Sequence, residues 1–136
     1  MIIQCDNSPD DDHAELVSHP GSDSHLFNLI ETSSDLSDEM PKASALEFMR
    51  DLITQFRRHF AVEEQILYQS KYRRTSDHVV QHWRFIQRLS ALAKAYERGN
   101  NGILNEFRDY IHEWLSDHIS VDDLEFCEFL RERAKR

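Results

Sequence analysis

Chain breakers are scarce: the 136 residues include three glycines and three prolines. Every proline (Pro9, Pro20, Pro41) lies before residue 42, and from Lys42 to Arg136 only Gly99 and Gly102 offer a break. The frequent turns of a sandwich or barrel need more of both, so an all-β architecture is excluded. Cysteine is nearly absent too. Cys5 and Cys127 stand at opposite ends without CxxC spacing, which argues against a disulfide scaffold or a zinc knuckle, and they read as unrelated thiols. No apolar run approaches the roughly 18 residues that a membrane span needs, and the N-terminus lacks the charged-then-apolar pattern of a signal peptide. The expectation is a soluble cytoplasmic protein with no membrane partner. Positive charge is sparse, 16 Lys+Arg against 25 Asp+Glu for a net −9, and no long Lys/Arg cluster is present to track phosphates. Nucleic acid is therefore not an expected partner.

What remains is helical periodicity. Residues 1–21 carry an acidic run and the turn His19-Pro20-Gly21 without a helical period, and read as an extended N-terminal arm. Ser22 can cap a first helix over about 22–36, with Leu26, Phe27, Leu29 and Ile30 on its apolar side. A second helix is predicted over 42–69, where Ala45, Phe48, Met49, Leu52, Ile53, Phe56, Phe60, Ile66 and Leu67 recur at steps of three and four. Ser76 is the expected cap of a third helix, 76–97, with Val79, Trp83, Ile86, Leu89 and Ala93 as its core stripe and Gly99-Asn100 as its stop. A fourth begins at Ile103, with its period stumbling near Ser120. The fold class is all-α: an up-down-up-down four-helix bundle over 22–133, with 134–136 a tail or the start of a linker.

The chemistry lies in the histidines. His59 stands four residues before Glu63, His78 four before His82, and His118 four or five before Asp122 and Asp123. Residues four apart share a helix face, so each pair aims two donor atoms in one direction. Apolar neighbours place all three groups on the core side: Phe56 and Phe60 around His59, Val79, Trp83 and Ile86 around the second pair, Trp114, Leu115 and Ile119 around His118. Unpaired imidazoles and carboxylates are costly there, and a metal would satisfy several at once. Bundle cores that carry both donor types are the architecture of carboxylate-bridged dinuclear sites. His19 and His112 read as solvated, and His13 is a minor candidate. No Ser/His/Asp or Cys/His constellation and no phosphate-cradling glycine loop occurs.

Taken together, HxxxE at His59 and Glu63, HxxxH at His78 and His82, and WLxxHIxxxD from Trp114 to Asp123 resemble the bacterial hemerythrin pattern, from about Asp23 onward. The resemblance implies a four-helix bundle around two non-haem iron ions, an oxo- or hydroxo-bridged pair that binds dioxygen or small anions, or reports redox state. Glu63 and Asp123 would bridge the irons, His78, His82 and His118 would complete one, and His59 would bind the other. Leu115, with Phe56 and Ile119, would line the ligand pocket. Helical spacing alone favours Asp122; the choice of Asp123 rests on the resemblance.

The pattern departs at the first helix, where the family places a further histidine three residues before a Leu-Phe pair. Here that pair is Leu26-Phe27, and three residues back stands Asp23. Asp23 shares a face with Leu26, Phe27 and Ile30, whereas His25 would point about 200° away. Asp23 as an oxygen ligand, His25 as the alternative ligand, or solvent filling the gap are the three readings. A carboxylate in that place would stabilise the ferric state. The expected function is a sensory input module, the basic ending from Leu130 reading as the start of a linker to a fused output domain such as a cyclic-dinucleotide cyclase. The alternatives are a standalone oxygen carrier, a di-iron enzyme acting on oxygen, peroxide or nitric oxide, and a zinc or manganese bundle without redox chemistry.

Overall fold

The computed structural model describes the backbone of residues 23–118 and 124–134, and the side chains of 28–118 and 125–133. Five helices follow in order: α1 (Asp23–Ser33), α2 (Lys42–Ser70), α3 (Thr75–Glu97), α4 (Ile103–Asp117) and α5 (Leu124–Ala134). No strand occurs among the described residues. The N-terminal arm and Ser22, the expected cap of α1, lie outside them.

Local chemistry sets most of the boundaries. α1 stops at Ser33, short of the expected 36, where the Ser33 hydroxyl donates to the Ile30 carbonyl at 2.6 Å and competes with the helical ladder. Pro41 precedes the first residue of α2, a place where its missing N–H costs nothing. At the other end Lys71 turns left-handed (φ 57°), and its N–H bonds back to Leu67 and Tyr68. Ser76 does not cap α3; the helix starts one residue earlier, without a side-chain cap. Instead the buried Thr75 hydroxyl donates to the Tyr72 carbonyl at 2.6 Å and ties the turn down. Gly99 (φ 93°) ends α3 as expected, its N–H and that of Asn100 returning to Tyr96 and Ala95.

Short connections return the chain between neighbouring helices, and α1 packs on α2 and α4 while α3 packs on the same two. That closed ring is a four-helix bundle. The fourth sequence helix is two helices: α4 ends at Asp117 and α5 begins at Leu124, flanking the stretch where the period stumbles. A large apolar cluster including Leu29, Met49, Phe56, Phe85, Leu89, Phe107 and Ile111 fills the bundle. Each such side chain contributes about 1.5–3 kcal/mol by leaving water. A smaller cluster of Leu67, Tyr72, Phe126 and Cys127 seats α5 against the end of α2.

Two expectations are corrected. Trp83 is not a core residue: 62% of it is exposed, and the interior face of α3 is His78, His82, Phe85, Ile86, Leu89, Leu92 and Ala93. Ile86, Leu89 and Ala93 of the expected stripe do face inward, whereas Trp83, one residue and about 100° past the buried His82, points outward. Cys127 is not an isolated thiol, since it is disulfide-bonded, with a partner outside the described residues.

Candidate metal centre

Three helices bring their polar residues to one layer of the bundle. α2 supplies His59 and Glu63 one turn apart, α3 supplies His78 and His82 in the same way, and His118 follows α4 with helical dihedrals (φ −62°, ψ −46°). All five side chains are buried. The single carboxylate stands in the middle. Its Oε1 faces His78 Nε2 at 2.6 Å, His82 Nε2 at 3.2 Å and His118 Nε2 at 3.5 Å, while Oε2 faces His59 Nε2 at 3.5 Å. One oxygen therefore serves three imidazoles and the other a fourth.

This arrangement is poorly satisfied by protons alone. Glu63 Oε2 makes no hydrogen bond among the described residues although it is fully buried. His82 Nε2 and His118 Nε2 point at each other across 3.2 Å, so at most one proton can lie between them. Burial by itself pushes the Glu63 carboxyl up, but electrostatic attraction to the facing His82 ring and hydrogen bonding to the imidazoles of His118, His59 and His78 outweigh it and hold the group well below the usual carboxylate range. Glu63 is thus an anion, and donor atoms from it and from His78, His82 and His118 lie within 4.8 Å of one another. Imidazole nitrogen and carboxylate oxygen at that separation suit a divalent transition metal, which would take up all the facing lone pairs together. The donor set fits a metal.

Aromatic rings hold the imidazoles in place. Phe60 stacks on His82 with centroids 3.9 Å apart and planes 7° off parallel, and Trp114 stacks on His118 at 4.4 Å and 15°. Phe85 backs Trp114 at 4.2 Å, extending the wall into the large cluster. Phe56 and Leu115 are fully buried in that cluster, and Phe56 packs edge-on to Phe85 at 5.1 Å. His112 is exposed, as expected from its spacing.

The structure thus gathers His59, Glu63, His78, His82 and His118. Asp23 is the first residue of α1 and His25 lies in its first turn, but both side chains fall outside the described part, as do Asp123 and Ile119. Sequence reasoning missed Glu64, whose Oε2 lies 2.8 Å from His82 Nδ1. Its signal was the Glu63-Glu64 doublet, which puts a second carboxylate beside the first but turned about 100°. The stacking roles of Phe60 and Trp114 were legible only as core packing.

The chain matches the family model described as "Hemerythrin HHE cation binding domain" over residues 23–130. Among curated proteins it is similar to "Bacteriohemerythrin" of Pseudomonas paraeruginosa (strain DSM 24068 / PA7), 24% identical over 106 residues, which are 78% of this chain and 69% of that protein. The "Bacteriohemerythrin" of Pseudomonas aeruginosa (strain UCBPP-PA14) matches with the same figures, 24% over 106 residues. That of Stenotrophomonas maltophilia (strain R551-3) is 27% identical over 89 residues, 65% of this chain and 58% of that protein. No solved structure gives a significant match.

Proposed function

Since the chain belongs to the hemerythrin HHE cation-binding domain family, we propose that it holds a non-haem di-iron centre that binds dioxygen or a small anion and reports on redox state. The observation that carries the reading is the split of Glu63, one oxygen toward His78, His82 and His118 and the other toward His59. A carboxylate that divides four imidazoles three to one is suited to span two cations. Asp123 is proposed as the second bridge. Asp23, at the start of α1, is proposed to supply an oxygen donor on the His59 side in place of a histidine, with His25 as the alternative.

Iron held there supplies electron exchange with dioxygen. The chain's own groups do the rest: Glu63 and the four histidines hold charge and position, and Phe60 and Trp114 fix ring planes. Phe56, Leu115 and Ile119 are proposed as the dry wall that limits proton access to a bound ligand. The anionic Asp23 donor favours the oxidised state, which suits a sensor that responds to oxygen better than a carrier that must resist oxidation.

Iron per chain on the purified protein, with absorption spectra before and after anaerobic reduction and on return to air, tests this. Two irons with near-ultraviolet bands that bleach on reduction are expected. One iron, or zinc with a featureless spectrum, overturns it. Asp23→His should slow reoxidation in air, and an unchanged rate removes the Asp23 assignment. Steady consumption of peroxide or nitric oxide would instead identify an enzyme.

A further inference from the structure

We propose that Glu64 is a positioning residue of this centre: it fixes the His82 ring with Nε2 aimed at Glu63, and it places a negative charge one imidazole away from the metal, within reach of solvent. The proposal rests on the reading that the cluster holds a metal.

His82 Nδ1 and Glu64 Oε2 are 2.8 Å apart. An ionised carboxylate only accepts, so Nδ1 must donate, and the Nε2 lone pair is left for a cation. That Nε2 lies 3.2 Å from Glu63 Oε1 and 3.2 Å from His118 Nε2, inside the cluster. Stacking on Phe60 fixes the plane of the ring but not which edge faces inward, because a half-turn about the Cβ–Cγ bond leaves the stack intact. The Glu64 bond breaks that symmetry. An outer carboxylate on a ligating histidine also raises its basicity as a donor.

The surroundings of Glu64 differ from those of Glu63. Glu63 is fully buried, whereas the Glu64 side chain is 26% exposed at a cleft of about 330 Å³ between α2 and α3, walled by Arg57, Trp83 and Gln87. One face of Glu64 meets water and the other meets a ligand of the proposed metal. The tuning charge is therefore carried by a residue that solvent can touch, outside the closed layer.

The test uses the full chain and two variants, Glu64→Gln, which can still accept from Nδ1 but is neutral, and Glu64→Leu, which does neither. Iron retention against a chelator, the midpoint potential of the iron protein, and nitrogen-15 NMR of the imidazole tautomer in zinc-loaded protein are read for all three. Glu64→Leu should weaken metal retention about 10–100-fold, and His82 should lose its single tautomer. Glu64→Gln should keep the tautomer and most of the metal while the potential moves positive, a split that a merely structural role would not produce. Variants that fold and match the parent in retention, potential and tautomer overturn the assignment alone. A parent that retains neither iron nor zinc overturns both the assignment and the reading beneath it.

Discussion

Two apolar clusters lie on opposite sides of the histidine layer, and they are built differently. On one side, residues from α1, α2, α3 and α4 interlock, with Phe85 between Phe56, Phe60 and Trp114. On the other, Leu67 and Tyr72 from the end of α2 and its following turn meet Phe126 and Cys127 of α5, with Phe129 alongside. The first cluster ties every helix of the ring to its neighbours by apolar contact. From α3 the second receives Thr75, whose hydroxyl donates to the Leu67 carbonyl at 3.3 Å. Four imidazoles around one buried carboxylate separate the two, and a layer of that kind contributes cohesion only when its charges are matched. The large cluster can hold itself together; the small one depends on the layer between.

The sharpest way to break this comparison is to remove the metal. A ligand at a thousandfold excess over its Kd stabilises the folded state by about 4 kcal/mol, so chelation should lower Tm strongly. The loss should not be uniform. Amide exchange should rise first over residues 62–70 and in α5, while α3 beyond Phe85 stays protected. Equal acceleration on both sides would mean that the layer does not divide the core. His82→Ala should reproduce the chelated protein even in excess metal.

Phe85→Ala tests the opposite pole. Removing a fully buried phenylalanine costs about 3–5 kcal/mol, and here it also takes the support from Trp114, which stacks on His118. Global stability and metal retention should fall together, read by denaturant unfolding and metal content. Leu67→Ala, in the small cluster, should cost about 2–3 kcal/mol and loosen α5 without touching the large cluster. If Leu67→Ala destabilises α3 amides as much as those of α5, the two clusters act as one.

The sequence made some of this contrast legible and hid the rest, for physical reasons. The bundle was readable because α2 and α3 carry uninterrupted periodicity, and His59, Glu63, His78 and His82 because a spacing of four needs no knowledge of neighbours. The small cluster was not readable as separate, since beyond the stumble near Ser120 Phe126 and Phe129 return to the helical phase of Leu115. Glu64 was missed because its partner, His82, lies on another helix, and periodicity reports nothing across helices. The oxygen donor expected from Asp123 rests on the resemblance alone, and that from Asp23 on the resemblance together with the face it shares with Leu26, Phe27 and Ile30.

Trp83 provides the smallest expected effect and the finest check on where the interior face of α3 lies. An indole 62% exposed beside the cleft is attached to the bundle by little apolar area. Surface substitutions away from special features stay within about 0.5 kcal/mol, so Trp83→Ala should leave the unfolding midpoint and the metal content nearly unchanged. The neighbouring position behaves oppositely, because His82 and Trp83 are adjacent in sequence yet turned about 100° apart on the helix. His82→Ala should abolish metal retention while Trp83→Ala preserves it. A Trp83→Ala protein that unfolds several degrees earlier and sheds its metal would show that the indole, not Phe85, anchors this helix, and that Trp83 faces the core with Ile86 and Leu89.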